Sequence, residues 1–141
     1  MIQEGLYATL SGDAGVSAIV GTRIYPLVIP QTVYSEATKR PCIVYSFDSK
    51  GRQIRFSGTD TLVEGRFTID CYATTYSEAQ DLAEAVRGVL VDYSGTMTSG
   101  SSPQTTNDVK KLFIESERDL MDIEPGLYRV MQEYKIWYDE A

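Results

Sequence analysis

Residues 62–73 read Leu-Val-Glu-Gly-Arg-Phe-Thr-Ile-Asp-Cys-Tyr-Ala and alternate with a period of two. Val63, Phe67, Ile69 and Cys71 share one side, and Glu64, Arg66, Thr68 and Asp70 share the other. That period predicts a β-strand with one face on a core and one face toward solvent or a partner. Thr75-Tyr76-Ser77-Glu78 follows at once and fits a capping box, with Thr75 as cap and Glu78 three residues on. Beyond it Ala79, Leu82, Ala83, Val86, Val89 and Leu90 fall on one side, and Glu78, Asp81, Glu84 and Arg87 toward the other. This is the pattern of a one-sided helix lying on a sheet.

The flanking segments extend the pattern. Ile2, Leu6 and Leu10 recur at helical spacing; Asp13 can cap a second short helix carrying Val16, Ile19 and Val20, with Gly21 as its stop. Residues 24–29 are strand-like, but Pro26 and Pro30 confine them to an edge or an extended segment. Residues 31–41 read as a loop. Cys42–Phe47 is β-branched and aromatic and predicts a strand. Ser49-Lys50-Gly51 predicts a turn, residues 52–57 a return strand, and Ser57-Gly58-Thr59-Asp60 another turn, so residues 49–61 are expected to project as an arm. Residues 94–108, rich in Ser, Thr and Gly, predict a flexible loop or a segment that orders against a partner. Val109–Arg118 and Leu127–Tyr138 predict two more strands, turned by Pro125-Gly126. The last is apolar on both sides, with Tyr128, Val130, Tyr134, Ile136 and Tyr138 on one and Leu127, Met131 and Trp137 on the other. Such a strand is central in its sheet or covered by another subunit. The whole predicts one α+β domain over residues 1–141: a mostly antiparallel sheet with helices packed on one face.

Histidine is absent among the 141 residues, which removes the usual general base and metal ligand. No phosphate-cradling glycine motif occurs, so neither catalysis nor a cofactor is expected. Cys42 and Cys71 lie inside strand-like runs and read as small buried hydrophobes, without a disulfide and without zinc. The net charge of −7 argues against general affinity for DNA. No apolar run reaches the roughly 20 residues of a membrane helix, and no signal peptide is visible, so synthesis in a host cytoplasm is expected.

Two charge clusters remain. Lys50, Arg52 and Arg55 form a small basic tip suited to an acidic neighbour or to solubility. Glu115, Glu117, Asp119, Asp122 and Glu124 form the densest acidic cluster, with Arg118 as its one base. It lacks the glycine and spacing of a calcium loop, and a run of charge usually marks solvated surface. Ten tyrosines suit a protein interface as well as a core.

Four segments together resemble the tail-completion, or tail-terminator, proteins of long-tailed bacteriophages and related prophage or gene-transfer particles. They are Leu10–Pro26 with its G-V-S-A-I-V-G-T-R-I-Y-P, then P-C-I-V-Y at Pro41–Tyr45, F-T-I-D-C-Y-A-T-T-Y-S-E-A-Q-D-L-A-E-A-V-R at Phe67–Arg87, and G-L-Y-R-V-M-Q-E-Y-K-I-W-Y at Gly126–Tyr138. The resemblance implies a virion protein of the tail or neck that forms a homo-oligomeric ring, usually a hexamer, at the head-proximal end of the tail tube. Its partners would be the major tail tube protein and a head–tail connector protein, with DNA passing through unbound and no membrane involved. It brings no catalytic residues. On that implication Lys50, Arg52, Arg55, Met97 and Trp137 are candidate interface residues, and Glu115–Glu124 a candidate acidic lining of the lumen. Another head–tail joining or minor tail protein of similar fold is the alternative. A small ligand-binding domain, or an interaction domain of unrelated origin, would need a site the sequence does not display.

Overall fold

The structure, a computed structural model, describes residues 2–21, 23–27, 41–55, 58–91, 93–98, 106–122 and 127–139. The expected loop at residues 31–40 and the Pro125-Gly126 turn lie outside the described residues.

Three helices and six strands follow in the order α1 (Ile2–Ser11), α2 (Ala14–Val20), β1 (Ile24–Pro26), β2 (Cys42–Arg55), β3 (Gly58–Ala73), α3 (Tyr76–Leu90), β4 (Gly95–Thr98), β5 (Thr106–Asp122) and β6 (Leu127–Asp139). The helix ends form where local chemistry predicts. The Asp13 carboxylate accepts the Val16 N–H at 3.0 Å, Gly21 ends α2 at φ 59°, and the Thr75 hydroxyl accepts the Glu78 N–H at 3.2 Å. Each cap satisfies a helix-end group and is worth about 1 kcal/mol.

The strands form one mixed sheet in the order β1-β2-β3-β6-β5-β4, curled into a half-barrel. Only β1–β2 is parallel; the other pairings of the described strands are antiparallel. β6 is central, between β3 and β5; one of its rows is buried in the main core, and on its other face Leu127 is buried while Met131 and Trp137 are half-buried. Ile43, Tyr45, Phe67, Ile69, Cys71, Val130, Tyr134, Ile136 and Tyr138 supply one row of buried side chains, and residues of all three helices join that row in the main core. From α3 come Ala79, Leu82, Ala83, Val86 and Leu90, all fully buried. Each buried leucine stabilises by about 1.5–3 kcal/mol. Gly65 admits this packing, because a Cβ there would stand 3.2 Å from Ile136 Cγ2 and 3.6 Å from the rings of Phe47 and Tyr138. Cys42, Val44, Tyr72 and Leu127 form a small second cluster on the opposite side.

Three local expectations differ from the structure. Ser49-Lys50-Gly51 is not a turn: β2 runs on to Arg55, and the hairpin closes between Arg55 and Gly58. Two register shifts, at Phe47/Ser49 and Arg52/Ile54, absorb the irregular composition without reversing the chain. The Asp48 carboxylate, at the first shift, accepts the Thr68 hydroxyl at 2.7 Å and ties the irregular site to β3. Residues 58–60 are correspondingly strand, not turn. Finally, the segment read as a flexible loop contains β4, paired with β5 from Gly95↔Val109 to Thr98↔Thr106.

Candidate assembly surfaces

β4 exists because Met97 has a place to go. Gly5 presents bare backbone to it, and a Cβ at Gly5 would lie 3.0 Å from Met97 Cβ and 3.2 Å from its carbonyl oxygen. α1 therefore crosses β4 at close range, and Met97 is fully buried. The side chain of Met97, a candidate interface residue, thus packs in the core of its own chain.

The acidic cluster does not form one face. β5 shifts register against β6 between Ile114 and Ser116, which leaves Glu115 as the extra residue. Beyond it Glu117 stands opposite Gln132 and Asp119 opposite Val130, on the core row. Asp119 accepts the Tyr76 hydroxyl at 2.7 Å and the Gln80 amide at 2.9 Å. That hydrogen bond, helped by the carboxylate charge, raises the Tyr76 pKa. Glu117 pairs with Arg87 at 2.5 Å. These two acids thus anchor β5 to α3. Glu115 turns instead to Arg66 at 3.4 Å. Asp122 ends β5, and Glu124 lies outside the described residues.

A ladder of opposite charges crosses the strands. Lys135 pairs with Glu64 at 2.5 Å, Arg118 with Glu133 at 3.1 Å, Arg66 with Glu115 at 3.4 Å, and Arg129 approaches Asp70 at 3.9 Å. Trp137 lies half-buried beside this ladder, with the Lys135 ammonium 5.6 Å from its ring centroid. Each such pair contributes little stability, but together they pair Arg66, Arg118, Arg129 and Lys135 with carboxylates. Lys50 is exposed, its ammonium 5.4 Å from the Phe47 ring centroid, and Arg52 and Arg55 follow it along β2.

Nucleophilic chemistry finds no support in the buried titratable groups. Burial pushes the Cys71 thiol and the Tyr134 hydroxyl well above their ordinary pKa, so both stay protonated. Both cysteines are free and buried. No group of acids and cysteines with metal-site geometry occurs among the described residues, and none of the described helices is long and apolar enough to cross a membrane. One shallow cleft, about 250 Å³, is lined by Ile19, Pro41, Glu78 and Asp81, which converge on no reactive group.

The arrangement defines a structural module: a curled sheet with a buried core, a ladder of paired charges across its strands and two strand edges of different composition. The chain belongs to the Tail completion protein gp17 family, whose profile matches residues 4–139. Membership carries a structural role in the virion tail and corresponds to the four resembling segments. The fold is similar to that of a chain in the virion of a native gene transfer agent particle. That similarity has a TM-score of 0.68 at 17% identity, over 98% of this chain and 94% of the other. Among curated proteins no sequence match is found.

Proposed function

We propose that the chain is the tail terminator: it forms a ring at the head-proximal end of the tail tube, stops tube polymerisation and presents the surface that a head connector joins. The family match over residues 4–139 carries this reading. A closed ring requires two different, complementary patches on every subunit. The two long strands toward the sheet's edges, β2 and β5, differ in sequence and offer two different patches. Two strand edges also fit a protein that assembles with copies of itself. A channel for DNA should not hold phosphate, and the paired charges around Arg66, Arg118, Arg129 and Lys135 suit such a lining, since phosphate binding needs unpaired basic groups. Antibody or gold labelling of purified particles tests the position. Label confined to the head end of the tail supports termination and joining; label along the tube or at the distal tip contradicts it.

A further inference from the structure

We infer that neighbouring copies join head to tail, with the end of the β2–β3 hairpin of one copy seated in the cleft between α2 and α3 of the next. The inference rests on the ring reading above and names one contact between its subunits.

The hairpin end has little of its own chain to rest on. β3 pairs with β6 only as far as Leu62↔Asp139, and β1 pairs only with Ile43–Tyr45 of β2. Among the described residues, the two strands beyond Leu62 pair only with each other, through Ile54↔Thr59 and Arg55↔Gly58. A two-stranded ribbon alone is marginal in water and needs a further strand or a helix to pack on. The sequence suits such a contact. Residues 50–61 carry Lys50, Arg52 and Arg55 against one acid, Asp60, and include Ile54 and Phe56. Lys50 is exposed and has no carboxylate partner among the described residues.

The cleft offers the complement. Ile19 of α2 and Pro41 supply apolar surface, Glu78 and Asp81 of α3 supply carboxylates, and the volume is about 250 Å³. Glu84 follows one turn along the exposed side of α3. None of these three acids has an ion-pair partner among the described residues, whereas Arg87, the one base in α3, is held by Glu117. Arg23 brings one positive charge nearby, where it donates to the carbonyl oxygens of Pro41 and Ile19 at 2.8 and 3.5 Å. The dipole of α3 adds about half a positive charge at its N-terminal end. With both counted, Glu78, Asp81 and Glu84 still leave this end acidic. Arg66, Arg118, Arg129 and Lys135 already face carboxylates, which leaves the hairpin end as the basic counterpart.

The two patches lie at opposite ends of the molecule. Pro41 precedes β2 and Arg55 ends it, and the 14 residues of that strand span about 45 Å when extended. A hairpin end and a cleft so far apart cannot meet within one copy and are satisfied only between copies. Different patches at opposite ends make a heterologous contact, which repeats from copy to copy and closes into a ring where the rotation allows.

The test reverses the charge of each patch separately. Glu78→Lys with Asp81→Lys gives a copy whose two patches are both basic, and Arg52→Glu with Arg55→Glu gives one whose two patches are both acidic. Assembly is read by native mass spectrometry of the concentrated protein and by completion of tails made without it. Each variant alone should assemble at least about tenfold less than the parent. An equal mixture should recover most of the loss, because alternating copies then set each sign against its opposite. Parent-level assembly by either variant alone, or a mixture no better than its parts, overturns the contact; recovery only as a dimer overturns the head-to-tail order. A second measurement does not depend on charge. Arg55→Cys and Asp81→Cys copies, mixed and oxidised, should form the mixed disulfide, since Cys42 and Cys71 are buried and do not compete. Its absence from both the concentrated protein and the completed tails overturns the contact. Tails completed at normal length without that disulfide would sink the contact and spare termination. The disulfide in a protein whose loss leaves tail length unchanged would do the reverse.

Discussion

The side-chain amide of Gln132 donates to the Glu117 carboxylate at 2.7 Å, across a register pair of β5 and β6. Gln132 is fully buried. It also donates to the Ala83 carbonyl at 3.0 Å and accepts the Tyr134 hydroxyl at 2.8 Å. With Arg87 on Glu117, one side chain joins two strands to α3. Gln132→Leu keeps the volume but strands three polar groups. It should cost about 3 kcal/mol, measured by urea unfolding. Tyr134→Phe should cost about 1 kcal/mol alone and less when combined with Gln132→Leu. Strict additivity would contradict the network.

Gly5→Val tests the crossing of α1 over β4. Its branched side chain meets the Met97 backbone, so a loss of about 1–3 kcal/mol is expected from overpacking. Stability at or above that of the parent would show that the helix has room to move.

The segment between β4 and β5 admits a sharper deletion test. Thr98 and Thr106 are register partners, so a two-residue turn can replace residues 99–105. That replacement should leave the unfolding midpoint nearly unchanged. Removing residues 95–106 takes away β4 and Met97 and should cost about 2–5 kcal/mol. Equal midpoints for the two deletions would contradict the packing described for Met97.

Alkaline pH should destabilise the fold. Burial raises the pKa of Cys71 and of Tyr134, so each stays protonated in the native state while the unfolded chain ionises. The stability linked to each group is complete below its unfolded pKa and is lost as pH rises above it toward the folded value. For Cys71 the loss begins near the ordinary value of 9.0, and for Tyr134 near 10.0. Replacing Cys71 with Ala should lower overall stability but flatten its decline above pH 9 by up to about 1.4 kcal/mol per pH unit. Parallel pH profiles for parent and variant would contradict this.

Elements set by neighbouring residues were legible in the sequence. Asp13, Gly21 and Thr75 mark helix ends through contacts within three or four residues, and the alternation of residues 62–73 reports one buried face directly. What the sequence hid depends on distant partners. Ser49-Lys50-Gly51 has turn chemistry, yet pairing with Arg66, Gly65 and Glu64 keeps it extended. Met97 reads as loop because its pocket is made by Gly5 on another element. The acidic run reads as one patch because the shift at Glu115, which splits it between two faces, leaves no periodic signature. Gln132 left a trace: it interrupts the apolar row of β6 between Val130 and Tyr134, where a buried polar residue needs partners.

Termination is tested most directly by the length of tails assembled without this protein. If the chain caps the tube, its loss should give overlong, headless tails, and adding back purified protein should restore a single length and head attachment. Tails of normal, uniform length in its absence would contradict the terminator role.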